Sequence, residues 1–474
     1  MSDTVCFIDG EMVDAADSYD NIDPSTGKVI GTVARGTEKE IDRAVEAARA
    51  AQRDWRRVSP EDKARLLTRL SDLILDARND LAVAESEDTG KPLTQARTDA
   101  DVCARYFRFY GHAIDSYYGQ SIPLRSDLHV YTRREPYGVT GHIIAWNYPM
   151  QLLARGVAPA IATGNCAVVK PADETPRTAV MIAQLAHRAG LPAGVFNVVP
   201  GIGAEAGAAL TAHPDVDHLG FVGSTVIGTS IAAAAAERVV PTMLELGGKS
   251  PQIVFPDADL DRASATIARA ILQNAGQTCS AGSRLLAHES VHDELVERVA
   301  AHFAKVSIGA GLSDPDLGPL VSVKQQGRVM GFIESVDRGQ IVTGGSIPEV
   351  PGGRGGAFVQ PTLIVNVDPA ARIAQEEVFG PVLVTARFSS EDEAVALANG
   401  TEYALLAAIW SSDISRGHRL AAEIQAGQVY INTYGAGGGV ELPFGGFKKS
   451  GYGREKGYAA LDSFTETKTV IVQL

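Results

Sequence analysis

Cysteine is scarce: Cys6, Cys103, Cys166 and Cys279 are the only four in 474 residues, and no CxxC pair or Cys/His spacing links them. That excludes a disulfide framework and a sequence-visible metal site. Long apolar runs are missing too. The alanine-rich stretch 231–236 is too short to span a bilayer and reads as a packed helix. The opening MSDTVCFIDG lacks the basic-then-apolar order of a signal peptide. Positive charge is in deficit, with 43 Lys and Arg against 57 Asp and Glu and a formal net charge of -14. Such a surface repels nucleic-acid phosphates and anionic membranes, so neither is expected as a partner. These absences together point to a reducing, cytoplasmic setting with free thiols.

What is present is ordinary globular composition, with enough chain for two or three domains. Thr37 with Glu40 three residues later has capping-box spacing, and Ile41, Ala44, Val45, Ala48 and Trp55 follow with helical period. Ser59-Pro60-Glu61-Asp62 predicts a second helix with a stripe of Leu66, Leu67, Leu70, Leu73 and Ile74. From about Gly138 the pattern changes to short β-rich runs between helices. Strands are expected at 138–146, 166–170, 195–199 and 219–222, with helices opening after Thr175-Pro176 and within 223–228. A second such series runs from Pro251 to about Tyr430. Strand–helix alternation predicts an α/β fold with two mostly parallel sheets. Segments 117–134 and 465–474 alternate polar and apolar residues, as exposed strands able to pair with another subunit would.

Several short stretches carry chemistry. Cys279 sits in GQTCSAGSR, where small residues let backbone N–H groups approach an attacked carbonyl. Glu245 lies between two leucines in LELGGK; an apolar setting raises a carboxyl pKa and suits it to general-base work, although a salt-bridged or solvated glutamate is the plainer reading. The two following glycines let the chain turn close to a ligand. Asn147, in WNYP, offers an amide donor or simply shapes a turn. Lys170-Pro171 and Gly223-Ser224-Thr225 each close an expected strand, where open α/β sheets bind ligands and a helix N-terminus suits a phosphate. The run GIGAEAG at 201–207 has its last glycine displaced from a dinucleotide-loop pattern and reads as a turn into a helix.

Taken in order, WNYP, VVKPADETP, GFVGST, LELGGKSP, GQTCSAGSR, EEVFGPV and PFGGFKKSGYGRE resemble the NAD(P)-dependent aldehyde dehydrogenase family, of the hydrolytic rather than CoA-acylating type, over nearly the whole chain. The resemblance implies a Rossmann-like cofactor domain (1–116 and 137–246), a catalytic domain (247–439) and a small β arm for oligomerisation (117–136 and 440–474). In that arm the C-terminal strand is expected to complete the hairpin's sheet in a neighbouring subunit of a homodimer or homotetramer. It also implies roles. Cys279 is the nucleophile, Glu245 the base, and Asn147 with the Cys279 N–H the oxyanion hole. Glu455 matches a second carboxylate in proton relay. Lys170 and Ser224 match positions on the adenosine and pyrophosphate side, Glu377 the nicotinamide ribose, and Phe379 a neighbour of the nicotinamide. Ile143, Trp146, Gly203, Phe221, Gly223 and Leu246 complete the expected cofactor set. No metal is required.

Asp173, three residues after Lys170, suits ribose hydroxyls and repels a 2′-phosphate, so NAD is expected over NADP. Arg155, Tyr148, Gln273 and Gly438 are the expected substrate contacts. Arg155 stands where simple aliphatic-aldehyde members tend to carry tryptophan, and its fork fits a carboxylate; the plain alternative is an arginine paired with a protein carboxylate. Gln273 is polar where many members are aromatic, and the run 435–439 (GAGGG) suggests an open pocket wall. The expected substrate is therefore an oxygenated or carboxylated aldehyde, and Arg155→Leu is expected to raise KM mainly for carboxylated ones. Two rivals remain at this point. One is a CoA-acylating enzyme, whose relatives usually lack the glutamate matched by Glu245. The other is a non-catalytic cofactor-binding protein, which need not keep Cys279, Glu245 and Asn147 together.

Overall fold

Thr37 opens the first long helix as expected: its N–H donates to the Glu40 carboxylate at 2.9 Å, and the helix Glu38–Trp55 buries Ile41, Ala44, Val45, Ala48 and Trp55. Ser59 caps the next, Pro60–Asp76, by accepting from the Asp62 N–H, and Leu67, Leu70 and Ile74 form its buried stripe, with Leu66 and Leu73 at the margin. The computed structural model describes residues 3–435 and 439–474.

Two sheets organise the molecule. The first has eight strands in the order Glu11–Val13, Cys6–Ile8, Phe196–Val198, Cys166–Lys170, Val139–Ile143, His218–Val222, Thr242–Glu245, Gly451–Tyr452. Its five central strands are parallel and its edges antiparallel. The second has seven, in the order Ile341–Thr343, Thr362–Ile364, Val382–Phe388, Arg284–His288, Pro251–Val254, Leu406–Trp410, Gln428–Ile431, all parallel except the first. Burial on both faces explains why the strands read as nearly continuous apolar runs: Cys166–Lys170 and Leu406–Trp410 are buried throughout. Residues 203–207 form a π-type turn leading into the helix Ala208–Ala212, as the displaced glycine pattern suggested. Residues 231–236 lie in the helix Thr225–Glu237, which buries only Gly228, Ile231 and Ala235.

Two expectations change. The C-terminal strand Thr465–Gln473 pairs along its whole length with Leu128–Pro136 of its own chain, from Thr465 opposite Pro136 to Gln473 opposite Leu128. Ser121–Ile122 completes that three-stranded sheet. The partner strand expected from a neighbouring subunit is thus supplied within the chain, because the helix Ala459–Ser463 delivers the tail directly to the hairpin. In addition, the segment after 440 is not only an arm. Gly451–Tyr452 closes the edge of the first sheet beside Thr242–Glu245, and Phe447–Lys448 pairs with Tyr403–Ala404. Among the described residues no helix is long and apolar enough to cross a membrane.

Candidate active site

The first sheet reverses its strand order between Val139–Ile143 and His218–Val222, the place where such sheets leave a crevice at their carboxyl ends. Lys170, Ile143, Phe221 and Leu244 lie in one register row across four strands at that crevice. The next register position pairs Val222 with Glu245. Gly223 leaves room for the tip of the Phe221 ring, which would lie 2.5 Å from a Cβ there; its N–H donates to the Glu245 carbonyl at 3.0 Å. Ser224 caps the helix Thr225–Glu237, its hydroxyl accepting from the Ile227 N–H at 3.4 Å. Lys170 is buried and paired with Asp173, whose other oxygen accepts the Gly203 N–H at 3.2 Å. These three sequence candidates therefore form one cluster.

A cleft of about 1350 Å³ lies between the two sheets and takes in Trp146, Asn147, Tyr148, Arg155, Gly223, Ser224, Glu245, Leu246, Gln273, Cys279, Glu377 and Phe379. Ile143, Lys170, Asp173, Gly203, Phe221 and Glu455 do not line it. Gly438 lies outside the described residues, while Gly435 and Gly439 border the cleft, and Gly435 has no atom within 4 Å of an added Cβ.

Cys279 reaches the cleft on a sharply folded loop. Asn274, Ala275 and Gly276 all have positive φ (50°, 53° and 73°). A Cβ on Gly276 would sit 2.0 Å from the Gly380 carbonyl oxygen, so only glycine passes there. Gly248 is held as closely, since its Cβ would meet the Cys279 carbonyl oxygen at 2.2 Å. Its N–H donates to Glu377 at 2.8 Å, which fixes that carboxylate beside the cleft. The paired glycines of LELGGK thus let one strand end pass between Glu377 and the nucleophile loop. Phe379, with φ of 59°, meets Trp146 edge-on at 5.1 Å.

Burial sets the charge states. The Cys279 thiol is pushed up to about 12 by its low-dielectric surroundings; Arg155 opposes the shift, while Glu245, Glu377 and Glu455 add to it. Glu245 is 1% exposed, neither of its oxygens has a hydrogen-bond partner among the described residues, and burial and then Glu455 hold its pKa well above the ordinary carboxylate range. Glu377 is raised to about 7, also by burial. Arg155 is buried and pairs with Glu455, the plain alternative named above.

Asn147 is held from beneath. Its carbonyl accepts from Lys91 Nζ at 3.0 Å and Asn274 Nδ2 at 2.8 Å, and its own Nδ2 donates to the Gln277 carbonyl at 3.0 Å. Lys91 is fully buried, pairs with Glu85 and Asp99, and stands 4.5 Å from the Tyr148 ring centroid. The Cys279 N–H donates to no described group. Sequence reading missed Lys91 and Asn274, since a lysine in DTGKP and an asparagine in QNAGQ carry no pattern that marks them.

The row Lys170–Ile143–Phe221, the Gly223 turn and the Gly248-bound Glu377 fit an extended dinucleotide along the crevice. Comparison with known proteins agrees. Residues 12–470 match the aldehyde dehydrogenase family. The mitochondrial aldehyde dehydrogenase of Equus caballus is 42% identical over 99% of this chain and 95% of its own. An NAD+ complex of aldehyde dehydrogenase from Bacillus cereus superposes with a TM-score of 0.97 at 40% identity, covering 100% of this chain and 97% of that one. The P. syringae indole-3-acetaldehyde dehydrogenase AldA, solved with NAD+ and IAA, gives 0.96 at 38% identity, over 99% and 96% of the two chains. The chain belongs to the aldehyde dehydrogenase family, the oxidoreductases that take aldehydes to carboxylic acids.

Proposed function

We propose that this enzyme oxidises an oxygenated or anionic aldehyde with NAD through a thioester on Cys279. The observation that carries the reading is the meeting of Cys279, Glu245 and Asn147 on one cleft. The Cys279 sulfur, freed of its proton by the ionised fraction of Glu245, attacks the aldehyde carbon and gives a thiohemiacetal. Asn147 Nδ2 and the Cys279 N–H are the donors for its oxyanion, with Lys91 and Asn274 holding the Asn147 backbone in place. When bound, NAD would accept the hydride that leaves the thiohemiacetal carbon, which becomes a thioester on Cys279, and Glu377 and Phe379 would hold the nicotinamide end. Glu245 then takes a proton from the water that hydrolyses the thioester, with Glu455 a further carboxylate for proton relay. The presence of Glu245 favours water over CoA as acyl acceptor.

The cofactor domain is read as 1–116 with 137–246, its sheet closed by Gly451–Tyr452, the catalytic domain as 247–439, and 117–136 with 465–474 as the bridging arm of a homo-oligomer. Preference for NAD over NADP rests on Asp173, a carboxylate at the Lys170–Gly203 cluster that repels a 2′-phosphate. Incubation with NAD and a panel of aldehydes should raise NADH absorbance, and Cys279→Ala should abolish it. Full-rate oxidation by that variant would overturn the mechanism, and kinetics favouring NADP would overturn the cofactor reading.

A further inference from the structure

The substrate side of the cleft holds two cations on one aromatic ring. The Arg155 guanidinium carbon stands 4.6 Å from the Phe444 centroid and the Lys456 ammonium 4.9 Å. Both residues line the cleft with Cys279, but they differ in what they face. Arg155 already contacts the Glu455 carboxylate, so that pair is neutral as a unit and an arriving anion would have to compete with Glu455. Lys456 is half-buried, and among the described residues no hydrogen bond or ion pair engages its ammonium. A charge withdrawn from water without a partner is costly, so this position calls for an anion from outside.

The backbone presents Lys456 under constraint. It has φ of 62°, and Gly457 follows at 56° with its Cβ position 2.6 Å from the Glu441 carbonyl oxygen. Phe444 and Glu455 exchange backbone hydrogen bonds of 2.7 and 2.8 Å, which lock this turn to the ring. A non-glycine residue persists in the left-handed region only where its surroundings over-determine it. The groups facing Lys456 are Arg155 on the helix Pro149–Ala162, Glu245 at the end of Thr242–Glu245, Cys279 on its loop, and Glu455 next in the chain. With Glu245 held neutral by burial and Glu455 engaged by Arg155, the Lys456 ammonium is the charge left uncompensated among these neighbours.

We propose that Lys456, rather than Arg155, selects the substrate, by binding a carboxylate or similar anionic group at the far end of the aldehyde while the carbonyl lies against Cys279. This rests on the cleft being an aldehyde-oxidising site. The test compares ω-carboxylated aldehydes, beginning with succinate semialdehyde and its next longer homologue, with uncharged aldehydes of equal length, using the full enzyme and NAD. The wild type should favour the carboxylated series in kcat/KM. Lys456→Met should lower the carboxylated-to-uncharged ratio by at least about tenfold, mainly through KM, and Lys456→Arg should restore most of it. Arg155→Leu should depress both series alike. Burial lowers the Lys456 ammonium to about 8, so the wild-type ratio should fall between pH 7 and 9, a readout that stands even if the Met variant is recovered poorly. A ratio unmoved by Lys456→Met or flat with pH, or lost only in Arg155→Leu, overturns the proposal. An enzyme that oxidises aldehydes without charge preference also overturns it, whereas one that oxidises none refutes the reading of the cleft itself.

Discussion

Glu245 places a carboxyl where nothing described hydrogen-bonds to it, and that single fact links catalysis to stability. Burial raises its pKa, so the folded chain keeps a proton that the unfolded chain releases above its ordinary value. Stability therefore falls as pH rises above the usual carboxylate range, until the folded group also ionises. Glu245→Gln removes this penalty, and the gain in Tm over wild type should be larger at pH 8 than at pH 5. Hydrolysis has the opposite sign. Only the ionised form accepts a proton from water, so kcat for a thioester-limited substrate should climb with pH in the wild type and lose that dependence in Glu245→Gln, as steady-state profiles would show. Asn147→Ala should lower kcat by about 100–1,000-fold with little change in KM, the cost of one oxyanion donor; an equal rise in KM would mean that it binds substrate instead. The residue types at these positions were legible from the motifs. The Arg155–Glu455 pairing was not, because the two lie 300 positions apart and only the fold brings them together.

Elements matter here mostly through their ends. The helices Arg78–Thr89 and Leu93–Ala113 carry Glu85 and Asp99, and Lys91 between them ties both to the Asn147 carbonyl. Removing the cation strands two buried carboxylates, so Lys91→Met should cost about 3–5 kcal/mol in chemical denaturation. A loss below about 1 kcal/mol would show that the triad is not a support for the oxyanion loop. Gly276→Ala meets both a positive φ and the Gly380 carbonyl, so it should displace Cys279 and reduce kcat and stability together. Helix starts and strand cores were readable because capping residues and apolar runs act locally, as at Thr37, Ser59 and Cys166–Lys170. The three consecutive left-handed residues 274–276 were not, since only Gly276 is of a type that signals that conformation, and the Gly380 carbonyl packed against it lies far along the chain.

At the scale of the whole molecule, the C-terminal strand joins a hairpin more than 300 residues away and covers one edge of Leu128–Pro136. Deleting residues 465–474 bares that edge, and light scattering should report self-association of the truncated chain; a clean particle of unchanged size would show that the strand is dispensable. The alternation of both segments announced exposed strands but not which chain would pair them, because hydrogen-bonding edges are alike whether the partner is internal or external. What the amino-acid order determined by itself was the α/β grammar and the identity of the cleft's reactive groups, since periodicity, caps and contiguous motifs are local properties. Which charges neutralise one another, which glycine yields to which carbonyl, and that Lys456 rather than Arg155 is left facing the cleft without a partner among the described residues were decided by tertiary structure, because electrostatic pairing depends on distance in space and not along the chain.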